Sequence, residues 1–235
     1  MVGKMTNSCL AVIPARGGSK GIPKKNIQCV GDKPLLCYAI DSILDSGIDA
    51  DIVVSTDSDE IAQVALGHGG AYVINRSKSI SGDGAKTEDA LLDALDQMES
   101  LYGKTYEVVL TVQPTSPFRK PETVKRFWNE FSEIGSEYDA MLTLNETRTD
   151  YWVEEEGNYH RLYPDAPRRR QDRKPLYIEN SCLYATTVDA LRETHSVLGN
   201  NVQGFLIDER EALDINEPID LTLANLLTKE TLDVC

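Results

Sequence analysis

The sequence predicts an α/β fold, and three observations carry that prediction. Short apolar, β-branched runs of strand length recur at 10–13, 52–55, 72–74 and 108–112. Segments of helical period lie between them. A glycine-rich basic loop follows the first run directly, where open α/β sheets bind their ligands.

The elements follow in order. Residues 35–44 supply a first helix. Ser58 can cap a second, whose first turn carries Asp59 and Glu60, both favoured by the helix dipole. A third helix runs over about 87–102. After Pro121, Val124, Phe127, Trp128 and Phe131 fall at i, i+3, i+4 and i+7 and make one apolar face, read as core. A strand is expected over 139–144. The texture then changes: 151–153 and 159–162 read as short strands around an acidic turn, followed by a basic, proline-bounded stretch, and this segment resembles an insertion. Regular α/β texture returns with a strand at 182–185, a helix near 188–193, a strand at 205–207 and a last helix over about 218–227.

With 235 residues and 41% hydrophobic composition, the chain can bury a core without disulfides or structural metal, as one domain with a modest insertion. Acidic residues outnumber basic ones 38 to 24, a formal charge of −14, which disfavours nucleic acid and anionic membrane as partners. The basic residues gather at 16–25 and 161–174, so a small anionic ligand is compatible with the acidic total. Five scattered cysteines with no C-x-x-C pair indicate reduced thiols and no zinc site. His68, His160 and His195 lack metal-ligand spacing. The apolar run near the N-terminus, 9–13, is too short for a signal-peptide core or a membrane span, so a cytoplasmic protein is expected.

The loop reads Ile13-Pro14-Ala15-Arg16-Gly17-Gly18-Ser19-Lys20-Gly21-Ile22-Pro23-Lys24-Lys25-Asn26. Its glycines let the backbone turn tightly and bring N–H groups to phosphate oxygens. Arg16, Lys20 and Lys25 can add charge-assisted contacts of roughly 1.5–3 kcal/mol each. It is neither a Walker A sequence nor a G-x-G-x-x-G fingerprint, so neither an ATPase nor a dehydrogenase is indicated.

This loop resembles the N-terminal motif of the CMP-sialic acid synthetases, the acylneuraminate cytidylyltransferases. Further stretches agree: Ser55-Thr56-Asp57 with Ile61-Ala62, the segment 83–87, Gln113-Pro114-Thr115-Ser116-Pro117-Phe118-Arg119, Arg169-Arg170-Gln171-Asp172, Glu179-Asn180-Ser181 and Leu213-Asp214-Ile215-Asn216. The motifs occur in order and span nearly the whole chain.

The resemblance implies a three-layer α/β sandwich with a mainly parallel, Rossmann-like sheet and a small dimerisation extension near 145–180, hence a homodimer. It implies transfer of CMP from CTP to a sialic-acid-like nonulosonic acid, with pyrophosphate released. On the nucleotide side it implies Arg16, Gly17, Ser19, Lys20 and Lys25 around the triphosphate, with Asn26, Arg76 and Asp83 toward cytosine and ribose. On the acceptor side it implies Gln113, Ser116, Arg170, Asn180 and Tyr184, where the Arg170 guanidinium could pair with the sugar carboxylate. Arg16, Lys20 and Asp214 would carry catalysis, with Asp214 and Asn216 holding Mg²⁺. Many members of the family have aspartate at both of these positions, so Asn216 is a departure, and a capping role before Pro218 stands beside metal ligation. A surface ion pair stands beside ligand contact for Arg76, and a packing role for Tyr184. Two rival functions are a CTP-binding regulatory protein without turnover and CMP-Kdo synthesis.

Overall fold

The computed structural model describes residues 8–19, 21–82, 84–134 and 137–229. Lys20 and Asp83, two of the residues expected at the site, lie outside the described residues.

Among the described residues a seven-stranded sheet forms the middle layer. Its strands are β1 (Cys9–Pro14), β4 (Ala50–Thr56), β5 (Tyr72–Asn75), β6 (Val108–Val112), β7 (Ala140–Thr147), β10 (Leu176–Thr187) and β11 (Val202–Leu206). They lie in the order β11-β7-β10-β6-β1-β4-β5. All neighbours pair in parallel except β10, which runs antiparallel to both β6 and β7. Two minor hairpins complete the strands: β2 (Cys29–Val30) with β3 (Lys33–Pro34), and β8 (Trp152–Glu155) with β9 (Asn158–Arg161).

The period-2 alternation of the buried strands divides the core between two faces. On one, Ala11, Ile13 and Val54 meet Leu36 and Ile40 of α1 (Leu35–Leu44), Ile61 and Ala65 of α2 (Asp59–His68), and Val124, Phe127 and Phe131 of α4 (Pro121–Glu133). On the other, Leu10, Val12 and Val53 meet Leu91, Leu95 and Met98 of α3 (Thr87–Tyr102), and Leu191 of α5 (Val188–Thr194). The result is the expected three-layer sandwich. The aromatic face after Pro121 is core as read: Phe127 is fully buried and stacks edge-on against Phe205, while Trp128 packs at the margin. Ser58 caps α2, its hydroxyl accepting from the Ile61 N–H. No helix among the described residues is long and apolar enough to cross a membrane.

Two expectations are corrected in extent. The strand expected at 182–185 is the end of the 12-residue β10, and β7 runs on to Thr147. Beyond the sheet these two pair with each other, Leu176 opposite Thr147 and Glu179 opposite Leu144, with the register broken between Glu179 and Tyr184. The irregular stretch they enclose is the segment that reads as an insertion. It holds the β8–β9 hairpin, whose turn residues Glu156 and Gly157 both take positive φ, as a tight two-residue hairpin turn requires. A last helix, α6 (Pro218–Lys229), packs Ala224 with Ile22, Val30, Leu35 and Ile215 in a separate cluster beside the glycine-rich loop.

Candidate active site

The ends of β1, β4, β5 and β6 open on a cleft of about 490 Å³. Pro14, Arg16, Ser19, Gly21, Lys25 and Asn26 form its floor, Arg76 and residues 85–87 one wall, Gln113, Pro114 and Thr115 another, and Asp214, Asn216 and Glu217 the far side. Arg16, Ser19, Lys25, Asn26, Arg76, Gln113, Asp214 and Asn216 are thus brought together from four separate stretches of sequence.

The loop is anchored at several points. Ala15 N–H donates to the Ser55 carbonyl, Gly17 N–H donates to Asp57 Oδ1 at 2.8 Å, and Arg16 Nη1 donates to the Gly82 carbonyl at 3.1 Å. Buried Asn26 donates its side-chain N–H to the Arg16 carbonyl at 3.0 Å, so in this structure it braces the loop from below. Gly17 is absent from the cleft wall. Its N–H is taken by Asp57, and a Cβ there would lie 2.9 Å from Ser58 Cβ, so its glycine character serves the close passage of the loop over the cap of α2. At Gly21 a Cβ would sit 2.5 Å from the Asn216 carbonyl oxygen, which makes the absence of a side chain the condition for packing the loop on the 214–217 segment.

That segment is held just as firmly. Ile215 N–H donates to the Thr115 carbonyl at 3.0 Å. The Asp220 carboxylate, in the first turn of α6, accepts from the N–H groups of Asn216 and Glu217, the reciprocal half of a capping box. Capping is therefore the work of Asp220. The Asn216 side chain turns the other way: its oxygen accepts from Lys25 Nζ at 3.0 Å and its nitrogen donates to Asp214 Oδ2 at 2.6 Å. Asp214 Oδ1 is shielded from solvent with no hydrogen-bond partner among the described residues. Burial lowers the Lys25 pKa, an effect that nearby Asp214 opposes and Arg16 reinforces.

Arg76 is buried and, among the described residues, makes no ion pair. Its Nε donates to Ser55 Oγ at 3.1 Å and its Nη2 to the Ser55 carbonyl at 2.9 Å. Burial pulls its pKa below the usual guanidinium range, and the charges of Asp57 and Asp93 oppose this.

The remaining acceptor-side residues fall elsewhere. Ser116 is buried behind the wall, beside the Cys182 thiol. Asn180 is buried in the irregular part of β10, accepting from Thr143 Oγ1 at 2.7 Å and from the Cys182 N–H at 3.2 Å. Tyr184 has its ring buried and its hydroxyl donating to Glu179 Oε1 at 2.5 Å, with Ser181 Oγ 3.2 Å away; burial raises its pKa. Arg170 sits exposed on a 3₁₀ turn of the extension, outside the cleft lining of this single chain. Conversely, Lys86 and Thr87 at the start of α3 and Ser181 line the cleft, all three from motifs that carry the resemblance but without an assigned role, and so does Glu217. Ser181 takes φ of 58°, a left-handed conformation unfavourable for a residue with a Cβ, in the motif next to Asn180. Buried Arg119 also went unassigned: it braces the wall from behind through the Gln113 and Cys182 carbonyls.

A cationic cleft at the strand ends, floored by a glycine-containing loop and faced by a carboxylate oxygen that has no hydrogen-bond partner among the described residues, is the arrangement of a nucleotide-handling α/β enzyme. Residues 10–162 match the family described as Cytidylyltransferase, and the chain belongs to that family; it is a nucleotidyltransferase of the CMP-sialic acid synthetase type. It is 32% identical, over 93% of its length and 95% of the relative's, to CMP-N,N'-diacetyllegionaminic acid synthase of Legionella pneumophila. It is also 32% identical, over 96% of its length and 97% of the relative's, to pseudaminic acid cytidylyltransferase of Campylobacter jejuni. A solved CMP:2-keto-3-deoxy-manno-octonic acid synthetase complexed with CTP shares the fold at a TM-score of 0.67 and 16% identity, covering 96% of this chain and all of that one.

Proposed function

We propose that the protein transfers CMP from CTP to a nonulosonic acid and releases pyrophosphate. The observation that carries this reading is the cleft itself: Arg16, Ser19 and Lys25 face Asp214 across a space at the sheet's carboxyl edge. Relatives named for two different CMP-nonulosonic acids stand at the same 32% identity, which supports the substrate class and favours neither sugar.

In this reading the anomeric hydroxyl of the acceptor attacks the α-phosphorus of CTP, the bond to the β-phosphate breaks, and no protein nucleophile takes part. Arg16, Ser19 and Lys25, with Lys20, hold the triphosphate and meet the charge that grows on it. Asn26, Arg76 and the loop around Asp83 orient the nucleoside, and Gln113 and its neighbours face the acceptor. The described residues contain no cluster of three or more His, Cys, Asp or Glu side chains able to hold a metal alone. The donor set nevertheless fits Mg²⁺, which binds through one or two carboxylates and substrate phosphates, because Asp214 Oδ1 has no other partner. When bound there, magnesium would neutralise phosphate oxygens beside Asp214.

The extension suits a homodimer. Trp152, Tyr159, Tyr163 and Tyr177 are exposed on or beside it, at 53%, 74%, 50% and 52%, and a second subunit would cover them. Arg170 would then serve an acceptor site only across that interface. A cytoplasmic location goes with free thiols, Cys9, Cys37 and Cys182 being buried and unbridged.

Pyrophosphate release from CTP, ATP, GTP and UTP with a panel of legionaminic, pseudaminic, N-acetylneuraminic and Kdo acceptors tests the reading. CTP with a nine-carbon acid is expected to exceed every other pairing. Equal use of all four nucleotides would sink it, and CTP binding without turnover on any acceptor would favour the regulatory alternative.

A further inference from the structure

The segment opposite the phosphate loop contains an arrangement that its residue types alone do not announce. Lys25 Nζ donates to Asn216 Oδ1 at 3.0 Å, and Asn216 Nδ2 donates to Asp214 Oδ2 at 2.6 Å. The amide suits the middle of this chain, because its oxygen accepts on one side while its nitrogen donates on the other, which a carboxylate could not do. Asn216 has little freedom to do anything else. Its N–H is held by Asp220 at 2.9 Å, and its carbonyl oxygen lies against Gly21 with no room for a Cβ between them. The amide thus joins the phosphate loop to the 214–217 segment, satisfies one oxygen of Asp214, and leaves the other, Oδ1, buried and unpartnered beside the cleft.

We propose that Asn216 is a positioning residue and not a metal ligand: it orients Asp214 and Lys25 while the site has no cation, so that the divalent ion enters with the nucleotide. The argument is electrostatic. An aspartate at 216 would set two carboxylates face to face, an arrangement that a cation must relieve and that therefore binds one by itself. The Asp214–Asn216 pair is instead joined by a hydrogen bond through Oδ2 and carries a single negative charge. A lone carboxylate oxygen holds Mg²⁺ weakly until triphosphate oxygens complete its octahedron. The proposal rests on the CTP reading of the cleft.

The test uses the purified protein and two binding measurements that need no turnover. Mn²⁺ binding without nucleotide, followed by electron paramagnetic resonance, is expected to be at least about tenfold tighter in Asn216→Asp than in wild type. CTP binding in EDTA, followed by calorimetry, is expected to be about tenfold weaker in Asn216→Asp, because the added charge repels the triphosphate and takes Lys25 into an ion pair. Asn216→Ala, which removes a mostly exposed side chain, is expected to retain Mn²⁺ in the ternary complex with CTP while kcat falls; Asp214→Ala is expected to lose that Mn²⁺. Wild type binding Mn²⁺ alone as tightly as Asn216→Asp would overturn the proposal. So would loss of ternary Mn²⁺ from Asn216→Ala to the same degree as from Asp214→Ala, since Asn216 would then be a ligand. The wild-type calorimetry separates the two levels: CTP binding there establishes the nucleotide site whatever the variants do, and failure to bind CTP with or without Mn²⁺ takes both readings down together.

Discussion

Arg119 Nη1 donates to the main-chain carbonyl of Cys182 at 3.0 Å and so ties the loop after β6 to the irregular part of β10, with the guanidinium almost wholly buried. The same nitrogen reaches the Gln113 carbonyl, and Nε reaches Ser42 Oγ on α1. One side chain thereby fixes three elements behind the Gln113 wall of the cleft. Arg119→Ala leaves two buried carbonyls without this donor and opens a cavity, at a cost of about 3 kcal/mol. Thermal melting should fall by roughly 10 °C. Arg119→Lys should rescue little of this, since a single ammonium group cannot reproduce the guanidinium fork. A melting temperature within a degree of wild type for the alanine variant would contradict the bracing role.

The contact between Gly21 and the Asn216 carbonyl predicts an asymmetry within the glycine-rich loop. Gly21→Ala places a Cβ 2.5 Å from that oxygen, so the loop must move away from the 214–217 segment, whereas a Cβ at Gly18 meets nothing within 4 Å. Turnover is expected to fall on the order of 10²-fold in Gly21→Ala, a displacement of about an ångström being sufficient for that, and much less in Gly18→Ala. Equal losses in the two variants would mean that the packing contact is irrelevant to catalysis.

Asp214→Ala removes the unpartnered carboxylate oxygen. Turnover is expected to drop on the order of 10²-fold or more with little change in melting, because the carboxylate stabilises charge in the reaction more than the fold. Rate measured against magnesium at fixed CTP checks this, and a folded variant with wild-type magnesium dependence would remove Asp214 from the site.

Lys20, at the centre of the same loop, should act on charge that develops during transfer. Lys20→Ala is expected to lower kcat much more than it lowers melting temperature. Unchanged kcat and kcat/KM would mean that this lysine takes no part in the transfer.

Acid sensitivity should be traceable in part to Asp139. Burial of this carboxyl pushes its pKa up, but the N–H groups of Asn200 and Asn201 and the Asn200 amide donate to it and bring the net value below the ordinary 3.8. A group whose pKa is lower in the folded protein contributes stability above its unfolded pKa and loses that contribution as pH falls through the folded value. Urea midpoints of wild type and Asp139→Asn should therefore differ at pH 7 and draw together as pH falls below the ordinary carboxyl range. A gap that stays constant with pH would assign the loss to packing.

The periodicity of the chain was enough for the fold class and the order of helices and strands, because burial on one face is a local signal that recurs every 2 or 3.6 residues, and composition was enough for the position of the glycine-rich loop. Motif order was enough for the family. Strand order was another matter: β10 inserts antiparallel between β6 and β7, and nothing in its own apolar pattern specifies its neighbours. That insertion buries Asn180 and turns Tyr184 toward Glu179, pairings that residue type could not reveal. Only tertiary structure decided that Asn26 braces the loop, that Arg76 is buried on Ser55, and that Lys25, Asn216 and Asp214 form one hydrogen-bonded chain across about 190 residues of sequence. Such contacts depend on how distant segments dock, and a hydrogen bond between residues far apart in the chain leaves no period in the sequence to read.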